Sequence, residues 1–125
     1  MKKTINTPLA PAAIGPYSQA IAVNDMLFLS GQLPINPVTS QMAPNDIEVQ
    51  TKTSIENIAA ILKQAGMDLN NVVKTTVFIS DMNNFSKLNG VYGSYFQTNP
   101  PARSCFEVSR LPKDALVEIE AIAHK

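Results

Sequence analysis

The sequence predicts an α+β chain: one β-sheet with two helices packed on one of its faces, in the order β-β-α-β-α-β-β. Three observations carry this. Ile47, Thr51, Ile55, Ile58, Leu62 and Ala65 recur at spacings of three and four, which stacks them along one side of a helix. Residues 72–80 are rich in β-branched side chains, the composition of a strand. Short apolar runs near both ends of the chain are broken by turn residues, at Asn24-Asp25 and at residues 110–114. The chain has 125 residues, 45% hydrophobic and 16% charged. That is enough for one domain with its own core, and residues 1–125 are read as a single domain.

Taken in order, residues 8–16 are rich in Pro, Ala and Gly and read as an irregular lead-in closed by a Gly15-Pro16 turn. Residues 17–23 alternate, with Tyr17, Gln19, Ile21 and Val23 on one side. Asn24-Asp25 then turns the chain into a strand at 26–30, making a hairpin. Gly31 marks a bulge or a close backbone approach. Residues 34–45 contain three prolines and read as loop. The first helix covers 46–65, with Asp46 as its N-cap, Gly66 as its stop and Lys52, Glu56 and Lys63 on the outer face. In strand 72–80, Val73, Thr75, Val77 and Ile79 point one way, and Val72, Thr76 and Phe78 the other. Both sides are mostly apolar, so both are expected to be covered. The second helix spans 82–98, with Phe85, Leu88, Tyr92, Tyr95 and Phe96 as its stripe. Asn89-Gly90 would signal a hairpin elsewhere but falls inside this 3.6-residue pattern. Strands at 102–109 and 116–123 close the chain. Two helices cover only one face of such a sheet, so the other needs a second cover, most simply a neighbouring subunit.

Composition excludes several classes of function. Ten Lys and Arg balance ten Asp and Glu, and no basic run occurs, which argues against nucleic acid or a membrane surface as partner. No apolar stretch approaches the ~18 residues of a membrane span. Met1-Lys2-Lys3-Thr4 leads into no apolar signal core and the single Cys fits a reducing compartment, so cytoplasmic residence is expected. One His and one Cys exclude a Cys/His zinc cluster. Low charge with zero net charge points to surface buried in an oligomer.

The last two strands hold the informative polar residues. Ser104, Phe106 and Val108 read as the apolar side of the first, and Val117, Ile119 and Ala121 as that of the second. Burial fixes the parity of pairing, because a one-residue slip moves every side chain to the other face. With that parity, Arg103, Cys105 and Glu107 are expected to share a face with Glu118 and Glu120, in a hairpin turned at 110–114. The planar fork of Arg103 suits a bidentate grip on a carboxylate; the plainer alternative is an internal Arg–Glu ion pair. Glu118 or Glu120 could activate a water as general base, or be acids on a solvated face. Their same-strand spacing leaves no sugar-sized cleft between them. Cys105 lacks a usable base, because the single His, His124, sits in the C-terminal tail, so a small packed residue is the better reading. Tyr17 could offer its hydroxyl to a ligand or only pack. Ser30-Gly31 marks close backbone approach. No Walker loop, G-x-G-x-x-G or H-E-x-x-H occurs. Spacing alone ends at an anion-accepting sheet face of open purpose.

The segment Pro101-Ala102-Arg103-Ser104-Cys105-Phe106-Glu107-Val108-Ser109-Arg110-Leu111-Pro112-Lys113-Asp114, with Val117-Glu118-Ile119-Glu120-Ala121-Ile122-Ala123, resembles the signature of the reactive-intermediate deaminase (RidA/YjgF) family. Ala12-Ala13-Ile14-Gly15-Pro16-Tyr17, Ser30-Gly31-Gln32, Val73-Lys74-Thr75-Thr76-Val77-Phe78 and residues 89–92 resemble further landmarks in family order. The resemblance implies a chorismate-mutase-like α+β fold with a mixed sheet, and a homotrimer with ligand clefts between subunits. It implies hydrolysis of 2-imino acids, such as 2-iminobutanoate and 2-iminopropanoate, to 2-oxo acids and ammonia, with no cofactor. These imines and their enamine tautomers escape from pyridoxal-phosphate dehydratases. By the same resemblance Arg103 would clamp the substrate carboxylate, Glu118 would activate water, and the Cys105 backbone would help hold substrate or water. Tyr17, Ser30, Gly31 and Asn89 would line the cleft, some from the neighbouring subunit. The chain departs from the pattern in a shorter stretch before Arg103, in Pro100 where an aromatic is often seen, and in Ser40 at a turn position often held by Gly. A non-catalytic sensor would use Arg103 without requiring Glu118. An RNA-directed activity, ascribed to some relatives, sits poorly with zero net charge and no base-stacking platform.

Overall fold

The computed structural model describes all 125 residues. Six strands form one mixed sheet: β1 (Lys3–Ile5), β2 (Ala20–Val23), β3 (Met26–Gln32), β4 (Val72–Ile79), β5 (Ala102–Glu107) and β6 (Val117–His124). Their spatial order is β1-β2-β3-β6-β4-β5. Two helices, α1 (Ile47–Gln64) and α2 (Phe85–Tyr95), complete the chain. No helix is long and apolar enough to cross a membrane.

Helix α1 follows its sequence pattern. Asp46 Oδ1 accepts from the N–H groups of Glu48 and Val49 at 2.9 and 3.1 Å. Gly66 follows the last turn at φ 74°, a left-handed position that favours glycine. Ile47, Thr51, Ile55, Ile58, Ile61 and Leu62 are buried. Each buried Ile or Leu is worth roughly 1.5–3 kcal/mol, against about 1 kcal/mol for the cap. Packing therefore holds the helix, and the cap sets where it begins. Helix α2 starts later and ends earlier than its periodicity predicts. Residues Met82–Asn84 form a separate 3-10 turn capped by Asp81, and Asn99 at φ 49° with Pro100 and Pro101 cannot prolong the helix. Asn89-Gly90 lies inside α2, as the pattern requires.

The expected hairpin of the last two strands does not form. β4, α2 and β5 make a crossover, so β5 lies parallel to β4 on the sheet edge. β6 instead fills the gap between β3 and β4, antiparallel to both. Chain proximity favours a hairpin, but the apolar β4 and β6 gain more burial at the centre of the sheet than β5 would. Val77, Ile79, Val117, Ile119, Ala121 and Ala123 point into the helix-covered core.

Two local irregularities place functional residues. The β3–β6 register shifts between Leu29 and Gln32, one extra residue on β3 at Ser30-Gly31, which is the bulge predicted at Gly31. β4 shifts between Val72 and Lys74, so Val72 joins Thr75, Val77 and Ile79 on the core side and Val73 is left exposed, against the alternation read from sequence. The sequence does not predict strand β1, because three residues carry no usable period.

The face opposite the helices has no cover within the chain. Phe28 is 44% and Phe106 54% exposed there, beside Ile21, Phe78 and Ile122. These large apolar side chains lie together on one open sheet face.

Candidate functional site

Strand register decides which polar groups can meet. Arg103 lies opposite Thr75, and Cys105 opposite Val77, so both leave the sheet on the helix side. Glu118 lies opposite Phe78, and Glu120 opposite Thr76, so both leave on the open side. The expectation that Arg103, Cys105 and Glu107 share a face with Glu118 and Glu120 is therefore wrong. The difference lies in β5: the sequence reads Ser104 and Phe106 as its apolar side, yet Phe106 is on the open face and Cys105 packs against the core.

On the helix side, Arg103 is held by three residues of one α2 face. Its Nη1 donates to Asn89 Oδ1 at 2.7 Å. Its guanidinium carbon lies 4.8 Å from the Tyr92 ring centroid and 5.5 Å from that of Phe85. Phe85, Asn89 and Tyr92 stand four and three residues apart, which stacks them on one helical face. The chain's single ion pair joins Arg110 to Asp114 at 3.0 Å, so Arg103 has no carboxylate partner. The internal Arg–Glu pair weighed from sequence does not exist, and a positioned guanidinium with unused donors remains.

Cys105 sits on the same side as Arg103, part-buried. Burial pushes its thiol above the ordinary value, and the Arg103 charge only partly opposes this. A protonated thiol is a poor nucleophile, which fits the packed-residue reading.

The open side carries the second group. A Cβ on Gly31 would stand 3.0 Å from both Cδ and Oε2 of Glu118, so the bulge glycine gives this side chain its space. Burial first, and then the neighbouring charge of Glu120, hold the Glu118 carboxyl above its ordinary range. Ser30 ties the bulge to the segment ahead of β2: its Oγ donates to Ser18 O at 2.6 Å and its N–H to Gln19 O at 2.9 Å. Tyr17 stands just before that segment, 54% exposed, above a depression lined by Ser18, Ile21, Phe28 and Ser30.

The predicted site residues thus fall into two groups on opposite faces: Asn89, Arg103 and Cys105 on one, Tyr17, Ser30, Gly31 and Glu118 on the other. No three His, Cys, Asp or Glu side chains converge as metal ligands would. Phe85 and Tyr92 entered the sequence reading only as core stripe. The signal that could have found them is their spacing around Asn89.

Fold and site together define an α+β chain with an unpaired guanidinium at the sheet edge and a raised carboxyl on the opposite face. The family model described as Endoribonuclease L-PSP matches residues 7–125. A RutC family protein of Pyrococcus abyssi is 56% identical over 124 residues, covering 99% of this chain and 98% of the relative. A 2-iminobutanoate/2-iminopropanoate deaminase of Escherichia coli is 48% identical over 126 residues, covering 98% of each. The crystal structure of a Rid family protein of unknown function from Yersinia pestis matches with a TM-score of 0.98 at 55% identity over the whole of both chains. The chain belongs to the endoribonuclease L-PSP family, that is, the RidA/YjgF family.

Proposed function

We propose that this protein hydrolyses 2-imino acids, 2-iminobutanoate and 2-iminopropanoate among them, to 2-oxo acids and ammonia, in clefts shared between subunits of a homotrimer. The observation that carries the reading is Arg103: a guanidinium braced by Asn89, Phe85 and Tyr92 and left without a carboxylate of its own. A small acid with one carboxylate supplies that partner. The deaminase name of the Escherichia coli relative supports the choice of acid.

Arg103 and Glu118 leave opposite faces of one sheet, so a site that uses both takes Arg103 from one chain and Glu118 from the next. The open apolar face offers the surface for such an assembly. In the cleft, Arg103 grips the carboxylate and fixes C2 of the iminium. Water adds its oxygen to C2 as Glu118 takes a proton, giving a neutral carbinolamine. Glu118 returns the proton to the amino nitrogen, the C–N bond breaks as the carbonyl forms, and the hydroxyl proton passes to the departing ammonia, which leaves as ammonium with Glu118 ionised again. An electrophilic imine needs only positioning and proton handling. The reaction as drawn uses no cofactor.

The reading is tested by generating the imine in situ with a pyridoxal-phosphate threonine or serine dehydratase, with semicarbazide as competing trap. Added protein is expected to speed release of 2-oxo acid and reduce the trapped adduct. Folded protein that changes neither leaves the Arg103 cleft as a binding site, as in a sensor. Gly31→Ala checks the second group. The added methyl presses on Glu118 at 3.0 Å, and a displaced base costs about tenfold or more in turnover. Steady-state kinetics on the folded, assembled variant measures this.

A further inference from the structure

We propose that Tyr92, locked by its hydroxyl to Thr75, is a positioning residue that sets the plane of the Arg103 guanidinium for its carboxylate ligand. The inference rests on the reading of Arg103 as the carboxylate clamp.

Tyr92 is 6% exposed and Thr75 1%. Their hydroxyls lie 2.7 Å apart. Thr75 is also the β4 residue in register with Arg103 on β5. The helix residue beneath the guanidinium is therefore bonded to the strand position beside it. Phe96 closes another side of the ring, with centroids 4.7 Å apart. An aromatic in a core needs no hydroxyl for burial, and a buried hydroxyl must find a partner. Here the partner fixes the ring at the point where Arg103 rests on it, 4.8 Å away.

Arg103 needs such a platform. A long side chain on an edge strand has many rotamers, and ordering it on binding opposes affinity. Asn89 takes Nη1 and sets the direction of the fork within its plane. The Tyr92 ring, with the Phe85 ring 5.5 Å from the same guanidinium carbon, limits rotation out of that plane. The remaining donors stay free for a ligand. Burial keeps the Tyr92 hydroxyl protonated, outweighing Thr75 and Arg103, so no phenolate competes for the guanidinium.

Thr75→Val and Tyr92→Phe remove the same hydrogen bond from its two ends, and both are close to isosteric. Titration of 2-oxobutanoate into the assembled protein by calorimetry reads the clamp without requiring turnover. Each variant is expected to weaken binding roughly three- to tenfold, and the double variant no more than either alone, because one bond is lost in all three. Tyr92→Leu, which also removes the ring, is expected to bind more weakly still. With imine substrate KM rises in parallel and kcat changes little, the split expected of a group that grips substrate and transition state alike. Gel filtration and melting curves confirm assembly; should Tyr92→Leu fail to assemble, the two isosteric variants decide the matter alone. Wild-type affinity in both folded isosteric variants, or additive losses in the double variant, overturns the proposal. Wild-type protein that hydrolyses no imine but binds 2-oxobutanoate through Arg103 removes the enzymatic reading and leaves this one to the same titrations. Wild-type protein that does not bind overturns both.

Discussion

Arg103→Ala is expected to lower kcat/KM for imine hydrolysis by roughly two to three orders of magnitude while the protein stays folded and assembled. The size follows from the loss of two charge-assisted hydrogen bonds to one carboxylate. The fold tolerates the change because Arg103 is on an edge strand and makes no ion pair within its chain. Arg103→Lys keeps the charge but loses the fork and its rest on the Tyr92 ring, so it restores only a small part of the activity. Kinetics with dehydratase-generated imine, paired with gel filtration, measures both. An alanine variant with full activity would remove the carboxylate clamp.

Glu118→Gln is expected to reduce kcat by about 10²- to 10⁴-fold, the usual contribution of a general base, and to spare much of the binding of a 2-oxo acid. The wild-type pH profile carries a second check. A base must be ionised to accept a proton, so activity falls as pH drops through the Glu118 value. That value is raised by burial and by the charge of Glu120. Glu120→Gln removes the like charge, so the carboxyl ionises more readily and the acidic limb moves to lower pH. A neighbouring Arg103 would draw the limb in the same direction in both proteins and leaves the sign of the difference unchanged. A limb that stays in place in Glu120→Gln, or one that persists in Glu118→Gln, assigns the base elsewhere.

Much of this was legible in the residues, and the failures have a common cause. Helix α1 reads directly from Ile47 to Ala65 because its face is buried along its whole length, and Asp46 and Gly66 close it with local chemistry. The bulge at Gly31 is legible for the same reason: glycine after a strand is a local signal. The apolar character of both sides of residues 72–80 matches a sheet with one face under the helices and one open apolar face, although the bulge beside Val73 shifted the alternation there. What local signals do not contain is the choice of strand neighbours. Residues 102–109 and 116–123 are close in sequence and read as a hairpin, yet the crossover through α2 sends β5 to the edge and lets β6 take its place beside β4. The reading of Phe106 as a core-side residue, when it lies on the open face, is what placed Arg103 beside Glu118 in that hairpin. It also hid the roles of Phe85 and Tyr92, which look like ordinary core positions until Arg103 is placed over them. The residues named from the family resemblance divide between two faces of the sheet, and that division emerged only with the fold.

That division is the centre of the account, and mixed assemblies test it most directly. Arg103→Ala and Glu118→Gln chains are prepared separately, each expected to be inactive, and are then refolded together so that subunits mix at random. If every site takes Arg103 from one chain and Glu118 from its neighbour, about a quarter of the sites in a one-to-one mixture regain both residues, and imine hydrolysis returns to about that level. A mixture shown by native mass spectrometry to contain both chains in one assembly, yet as inactive as its parents, would contradict a site shared between subunits.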